Sequence, residues 1–388
     1  MKKNPHRIRL LMNVALCFAA LVSATNARSD DRNARNDFGA VDDVLAVGVF
    51  GPGDPATPPE HSTVKFFDAR SGRLLYQLPD ASGGLAGPTG ILFDDGRMIV
   101  ANQNTNRPFK GEVLQYGPGI KPGTPLVSRG DANAPLAPRG ILLVQQRGNG
   151  KRLFIADLGD PASDVNGKLL VFDIKYGKAM FRHDMNPGAD VIGAEFRPRG
   201  LVLGPDGYLW VTLAYLTTQC GGKVARFDPV TLKYKDTVLS NSSDCSKDAN
   251  HLNRPEGLAF APNGDLFITS FKNVNVDADI DRILILRADD RIYRRPQPQL
   301  DFIPLDVSGD ERTSTQALVF GPGGYLYVAC LQNGEVRKYD VVTKGYWTIV
   351  PPGTQLTMPF YLSFFKTNPA TLDYEGRDGH RKDYRTPN

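Results

Sequence analysis

A repeat of two short apolar runs joined by a glycine-containing turn constrains the fold of this chain more than any other feature. Each copy opens at a Pro-X-Gly turn, or at Thr-Gln-Ala in the weakest copy. Aligned on the last residue of that turn, successive copies are 50, 60, 57 and 60 residues apart. The copies run from Pro88 to Asn102, Pro138 to Asp157, Pro198 to Leu213, Pro255 to Ser270 and Thr315 to Cys330.

A third apolar element follows each copy and often ends in an aromatic residue and an aspartate, as in Lys223 to Asp228. Within the copies, runs such as Leu209-Trp210-Val211-Thr212 are typical of strands. A period of this length, composed of strands and turns, predicts a β-propeller with one four-stranded blade per repeat. The fold class is therefore all-β.

The two ends of the repeat region predict how the ring closes. Val44 to Phe50 and Val64 to Asp68 look like a blade without its opening strand, and Met358 to Phe364 looks like an opening strand without its blade. A propeller closes its ring and so protects its sheet edges. Joining the two ends predicts a six-bladed propeller closed by pairing of the N- and C-terminal strands; seven blades is the alternative.

The termini differ in composition from the repeats. Residues 1–27 combine a basic stretch, an apolar stretch and a small-residue cleavage site, which is typical of an export signal; an uncleaved anchor is the alternative. Residues 28–40 and 366–388 are polar, and we expect a disordered linker and a disordered tail there. The propeller is expected to span residues 41–365, as a periplasmic or secreted protein without a stable membrane anchor.

The charge of the chain excludes one class of partner. The formal net charge is +4 over 388 residues, and part of it lies in the predicted signal. Nucleic-acid binding requires a clustered basic face, and the sequence has none. We expect a monomer that binds a small molecule or a peptide.

Three cysteines follow the predicted signal. Cys220 and Cys245 lie in segments that a propeller places on the face carrying the channel mouth, so an oxidising compartment would allow a disulfide between them. Cys330 is expected to be a buried thiol at a strand end rather than a nucleophile, because no histidine lies in the matching loop.

Propellers collect ligand-binding groups where their innermost strands enter the central channel. The candidate ligand-binding residues at this mouth are Thr89, Arg139, Arg199, Glu256 and Gln316, and Phe360 completes the ring. A second tier follows the second strands and includes Asn102 and Asp157. Charges that point into a narrow channel must pair with one another or meet a ligand, so two arginines and a glutamate in one ring mark a site.

The third repeat carries the residues of a family resemblance. These are Arg197-Pro198-Arg199-Gly200, Gly204-Pro205-Asp206-Gly207, Leu209-Trp210-Val211 and Val224 to Pro229. They resemble the repeat of the NHL, gluconolactonase and virginiamycin B lyase propellers, a resemblance that extends over most of the chain after the signal. It implies the fold and says little about function.

The gluconolactonase resemblance implies a divalent cation at the channel mouth, held by carboxylates and an asparagine from different blades. Glu256 matches one such ligand conservatively, whereas the other mouth positions do not match. Arg139 and Arg199 would place positive charges where calcium needs oxygen ligands. A guanidinium could instead bind a carboxylate or phosphate. The alternative is that no ligand binds and that the charged residues pair with one another and plug the channel.

The sequence leaves two functions open. The first is a binding module that holds a small anion or a peptide end on Arg139, Arg199 and Glu256. The second is a metal-assisted lactone or ester hydrolase, or a lyase, in which Glu256 holds a cation such as calcium and His251 or Asp157 moves the proton. His251 precedes Glu256 by five residues, but a lone histidine in a loop is usually a surface residue.

Asn and Asp alternate with other residues from Asn273 to Asp281, a spacing similar to that of calcium loops. An EF-hand needs glycine at its sixth position and glutamate at its twelfth, and counting from Asp277 these are Arg282 and Ala288. The sequence therefore excludes an EF-hand. It favours a strand edge with its polar side toward water, and a calcium site of another type stays open.

Overall fold

The computed structural model describes residues 41–50, 61–105, 110–148, 150–160, 165–193, 195–216, 220–293, 300–306, 312–353 and 355–376. The predicted signal and linker lie outside these residues. None of the helices within the described ranges has both the length and the apolar character needed to cross a membrane.

Six four-stranded antiparallel sheets form the six blades of a propeller. Strands are labelled in chain order, and each blade is given from its inner to its outer strand. Blade I consists of β4 (Pro88–Asp94), β5 (Arg97–Asn102), β6 (Glu112–Gly117) and β7 (Lys121–Pro122). Blade II consists of β8 (Pro138–Gln145), β9 (Lys151–Asp157), β10 (Lys168–Lys175) and β11 (Lys178–Asp184). Blade III consists of β12 (Pro198–Leu203), β13 (Leu209–Leu213), β14 (Lys223–Asp228) and β15 (Lys233–Ser240).

Blade IV consists of β16 (Arg254–Phe260), β17 (Leu266–Phe271), β18 (Arg282–Leu286) and β19 (Asp301–Pro304). Blade V consists of β20 (Leu318–Phe320), β21 (Leu326–Cys330), β22 (Glu335–Tyr339) and β23 (Tyr346–Val350). Blade VI consists of β24 (Pro359–Phe364), β1 (Val44–Val49), β2 (Thr63–Asp68) and β3 (Leu74–Gln77). Two short helices lie in loops, α1 (Ala189–Ile192) and α2 (Ala288–Tyr293).

The ring closes in blade VI, where the last strand of the chain pairs with the first. Strand β24 runs antiparallel to β1 in a register that places Leu362 opposite Val47 and Phe364 opposite Leu45. The prediction of six blades closed by the two termini is therefore confirmed.

Aromatic residues join neighbouring blades at equivalent positions, which explains why they recur in the repeat. The second residue of β13, β17 and β21 meets the last residue of the next inner strand edge to face. The ring centroids are 5.4 Å apart for Trp210 and Phe260, 5.4 Å for Phe267 and Phe320, and 5.0 Å for Tyr327 and Phe364. Such pairs stabilise the packing by about 0.5–1.5 kcal/mol beyond the area that they bury.

Residues 366–376, which we expected to begin a disordered tail, pack instead against the propeller. The backbone N–H of Leu143 donates to the carbonyl of Pro369, and that of Leu203 to the carbonyl of Ala370. Both donors lie near the ends of inner strands, on the face opposite the Pro-X-Gly turns. Leu372 is 7% exposed and belongs to the hydrophobic core. The segment needs no apolar periodicity, because it is held by the free backbone groups of the inner strands.

Candidate functional site

Each Pro-X-Gly turn forms a bulge at the start of an inner strand. Around Arg199, for example, the pairing with β13 skips from Pro198 to Leu201. The same irregularity occurs at Pro88 in β4, Pro138 in β8 and Pro255 in β16. An inserted residue of this kind leaves the ladder and re-aims its side chain. The bulge therefore turns the X residue of these four blades toward the channel.

The glycines of these turns allow the inner strands to approach one another closely. A Cβ atom on Gly200 would lie 2.5 Å from the carbonyl oxygen of Glu256 in the next blade. A Cβ atom on Gly90 would lie 2.7 Å from the carbonyl oxygen of Arg139, one on Gly140 2.9 Å from that of Arg199, and one on Gly257 2.8 Å from that of Gln316. Only glycine permits this approach. The repeat thus constricts the ring at the level where the X side chains meet.

The structure brings all six predicted mouth residues together around one cavity. They are, in order around the ring, Phe360, Thr89, Arg139, Arg199, Glu256 and Gln316. The cavity volume is about 30 Å³, room for about two water molecules. The apolar part of the cavity wall includes four leucines, Leu201, Leu258, Leu318 and Leu372. Since Leu372 comes from the C-terminal segment, the cavity is blocked from the opposite face.

Glu256 lies between two arginines without a hydrogen bond to Oε1. Nη1 of Arg199 is 3.3 Å from Oε2 of Glu256, and Nε of Arg254 is 3.3 Å from Oε1. Arg199 and Glu256 are 2% and 3% exposed. Nε and Nη1 of Arg199, Nε of Arg254 and Oε1 of Glu256 are buried and make no hydrogen bond. The contacts are ion pairs that leave donors and an acceptor unsatisfied.

Arg139 adds a further positive charge. Its guanidinium carbon lies 4.9 Å from the ring centroid of Phe360, which in turn stacks on Phe50 at 5.0 Å. Thr89 lies between Arg139 and Phe360 in the ring, and its small side chain leaves room for the contact of the Arg139 guanidinium with the Phe360 ring. Burial and the neighbouring Arg199 lower the pKa of Arg139 to about 9, which leaves it cationic at pH 7. Burial likewise lowers the pKa of Arg199, while Glu256 opposes this shift.

Three guanidinium groups and one carboxylate therefore share the mouth, a formal charge of +2 (3 − 1). Arg254, which precedes the Pro-X-Gly turn by one residue, was not predicted from the sequence. Its side chain is 28% exposed and lies over Phe271, with 5.0 Å between guanidinium carbon and ring centroid. The signal that could have identified it is its position two residues before Glu256, on the same side of an extended strand.

Two of the predicted ligand-binding residues have their polar groups engaged by the fold. The hydroxyl of Thr89 donates to the carbonyl of Pro138 at 2.7 Å. Asn102 is fully buried outside the cavity; its amide group donates to Asn104 and Glu112, and its oxygen accepts from the backbone of Ala86. Thr89 lines the cavity as a small wall residue, and Asn102 holds a loop.

The two predicted catalytic residues do not line the cavity. Asp157 is buried and accepts hydrogen bonds from the backbone N–H groups of Leu136, Ala137 and Gly159. Burial raises the pKa of Asp157, and the three N–H donors oppose this effect. Asp157 thus holds the loop before β8. No hydrogen bond connects it to a mouth residue within the described ranges.

His251 turns away from Glu256 toward a carboxylate in its own loop. Its Nδ1 is 3.1 Å from Oδ2 of Asp248, and its side chain is 48% exposed. One ligand atom from each of Asp248, His251 and Asp279 lies within 4.8 Å of the others, close enough to hold a metal ion. Arg282 competes for this position, because its Nη2 is 2.5 Å from Oδ1 of Asp279.

The disulfide and the acidic run belong to the same loop region. Cys220 and Cys245 are joined, with their Cα atoms 5.5 Å apart. The side-chain amide of Asn273 donates to the carbonyl of Cys245. The run from Asn273 to Asp281 forms turns and no strand, with its first and last residues buried and residues 274–278 exposed, so the predicted strand edge is wrong. Asp281 is fully buried, where it binds Arg312 and the backbone N–H groups of Lys272 and Ser314.

Cys330 is buried, as expected for a structural thiol, and burial raises its pKa to about 12. A thiol in this state is not a nucleophile at neutral pH.

No protein-family model and no curated protein sequence matches the chain. Several solved structures have similarity to the chain. A putative 6-phosphogluconolactonase from Bacteroides fragilis has 13% identity and a TM-score of 0.49, covering 83% of this chain and 98% of its own. A Bacteroides caccae protein of unknown function has 13% identity, a TM-score of 0.44 and the same coverage. A streptogramin B lyase has 11% identity and a TM-score of 0.44, covering 85% of this chain and 83% of its own.

Proposed function

We propose that this chain is an exported propeller that binds a small anionic ligand, or the anionic end of a peptide, at the mouth of its central channel. The observation that carries the proposal is the state of Arg199. Its side chain is 2% exposed, and two of its nitrogens make no hydrogen bond. A buried guanidinium without hydrogen bonds is costly, and an oxyanion supplies the acceptors that it lacks.

The excess positive charge of the mouth supports the same function. Among the described residues Glu256 is the one carboxylate that lines the cavity with Arg139 and Arg199, and Arg254 flanks it; Glu195, which also acts on Arg199, is itself paired with Arg197. One carboxylate cannot neutralise three guanidinium groups. A bound anion would remove part of this repulsion, and its binding is therefore favoured by charge as well as by hydrogen bonding.

The residues around Glu256 fit a divalent cation poorly. A cation there would have a single carboxylate, that of Glu256, and beside it two guanidinium groups that each place a nitrogen 3.3 Å from one of its oxygens; the side chains of Gln316 and Thr89 are neutral. Calcium requires six to eight oxygen ligands. The hydrolase alternative, with its cation on Glu256, thus lacks the donors that it needs. His251 and Asp157 are also engaged elsewhere, by Asp248 and by backbone N–H groups.

Export is supported by the disulfide between Cys220 and Cys245, because such bonds persist in oxidising compartments. The proposed location is the periplasm or the extracellular space.

The test compares thermal unfolding in chloride with unfolding in sulfate, phosphate and acetate at constant ionic strength. An anion that binds the folded state raises the unfolding temperature with its concentration. Arg199→Ala should lose this response and weaken anion affinity about 10- to 100-fold, the effect of losing charge-assisted hydrogen bonds of about 1.5–3 kcal/mol.

The control variant is Arg182→Ala, which removes the same charge from the exposed outer strand β11. It should keep the wild-type response. If no anion stabilises the protein, or if both variants respond alike, the proposal is wrong and the arginines form a plug of ion pairs.

A further inference from the structure

The mouth offers an unsatisfied acceptor beside its unsatisfied donors. Oε1 of Glu256 is buried and accepts no hydrogen bond, although Nε of Arg254 lies 3.3 Å away. Nε and Nη1 of Arg199 are buried donors without acceptors in the same cavity. A ligand that fully satisfies this site must accept hydrogen bonds from arginine and donate one to Glu256.

The formal charge and the size of the cavity narrow the ligand further. The mouth carries +2, so a dianion neutralises it, whereas a carboxylate would leave one positive charge uncompensated. A cavity volume of about 30 Å³ accommodates a single small head group in place of about two water molecules. The apolar wall formed by Leu201, Leu258, Leu318 and Leu372 provides no polar partner for a larger hydrophilic ligand.

We propose that the mouth binds inorganic phosphate as the hydrogen phosphate dianion and rejects sulfate, with Glu256 as the residue that distinguishes them. This inference rests on the proposed anion-binding function. The hydrogen phosphate dianion and sulfate are alike in shape and carry the same charge. Hydrogen phosphate carries one P–O–H group that can donate to Oε1 of Glu256, while sulfate carries no proton. A sulfate oxygen would face the carboxylate as one acceptor against another.

Each of the other groups at the mouth has a part in this recognition. The guanidinium of Arg199 presents buried N–H donors at Nε and Nη1 that make no hydrogen bond and that oxyanion oxygens can satisfy. Arg139, held over the ring of Phe360, supplies charge from the adjacent blade. Arg254 holds the Glu256 carboxylate from the solvent side. Leaving a buried acceptor unpaired weakens the complex. We therefore expect phosphate to bind about 10- to 100-fold more tightly than sulfate.

The test is isothermal titration calorimetry with phosphate and with sulfate at pH 7.5 and constant ionic strength. The proteins compared are the wild type, Glu256→Gln and the control Arg182→Ala. In Glu256→Gln the side-chain amide can rotate to donate to sulfate, and one negative charge is removed. Sulfate affinity should rise at least tenfold while phosphate gains less, so the selectivity falls toward 1. Arg182→Ala should retain the wild-type ratio.

The outcomes separate the two proposals. If the wild type binds phosphate and sulfate equally, anion binding stands and the role of Glu256 is overturned. If selectivity is present but persists in Glu256→Gln, that role is likewise overturned. If no anion binds, the proposed function itself fails. Should Glu256→Gln fail to fold, the ratio of the two affinities in the wild type still decides, because equal binding refutes the inference.

Discussion

Gly200→Ala tests whether the mouth requires glycine where neighbouring inner strands approach each other. The added Cβ would lie 2.5 Å from the carbonyl oxygen of Glu256 and 2.9 Å from Cδ2 of Leu258. Ordinary contacts of this kind begin at 3.4 Å, so the carbonyl must retreat by about 0.9 Å (3.4 − 2.5). The carbonyl belongs to a strand in the next blade, so it cannot move without displacing that strand.

The cost of such overpacking is about 1–3 kcal/mol in the free energy of unfolding. Equilibrium denaturation in urea measures it, with Gly130→Ala as the matched control. Gly130 is exposed, and a Cβ there would meet nothing nearer than Oγ of Ser128 at 3.8 Å. Its substitution should change the free energy of unfolding by less than about 0.5 kcal/mol.

Anion affinity gives a second readout, because Gly200 directly follows Arg199 and its contact is the carbonyl of Glu256. Moving the two charged residues apart should weaken binding even at a temperature where the variant is fully folded. Equal stability of Gly200→Ala and Gly130→Ala would refute the reasoning, since it would show that the strands separate freely.

Three further predictions concern the disulfide, the C-terminal segment and a loop carboxylate. Replacing Cys220 and Cys245 by serine opens a loop of sequence separation 25 and should cost about 3.5 kcal/mol in the chain-entropy relation, measured by denaturation with and without reductant. Leu372→Ala should cost about 2–4 kcal/mol, whereas Val342→Ala at an exposed position should be nearly neutral. Hydrogen bonds from Asn253 and from the backbone of His251 lower the pKa of Asp248 against the effect of burial. The ionised form therefore stabilises the fold above the unfolded value of about 3.9, and this contribution is lost as the pH falls through the lower folded value. Asp248→Asn should thus lower the unfolding temperature at pH 7 and much less at pH 3.

The repeat allowed the fold and the composition of the mouth to be predicted. Proline and glycine on either side of one variable residue impose a bulge wherever they occur, so the variable residues of successive repeats were expected to meet. Arg139, Arg199 and Glu256 do line one cavity, and so does Gln316, which follows no proline. Local sequence was sufficient here, because the same local structure is repeated around a closed ring.

The remaining features depend on contacts between segments far apart in the chain. Nothing in the sequence near Leu372 indicates that it reaches the cavity, because its segment is held through the carbonyls of Pro369 and Ala370, which accept from backbone N–H groups of blades II and III. Asp157 and Asn102 looked available for ligands, yet each satisfies backbone groups of a neighbouring loop. His251 was expected near Glu256 on sequence distance alone, and hydrogen bonding to Asp248 directs it elsewhere.

Blade VI ties the completion of folding to the completion of the chain. Its inner strand β24 is the last strand of the propeller, and its second strand β1 is the first. Until residues 359–364 have been synthesised, β1 lacks its inner neighbour and exposes an apolar edge that can pair with other chains. Pairings over such sequence distances form slowly. A chain that stops before β24 would leave both ends of the ring open, so the propeller can be assembled only after synthesis has passed its final strand.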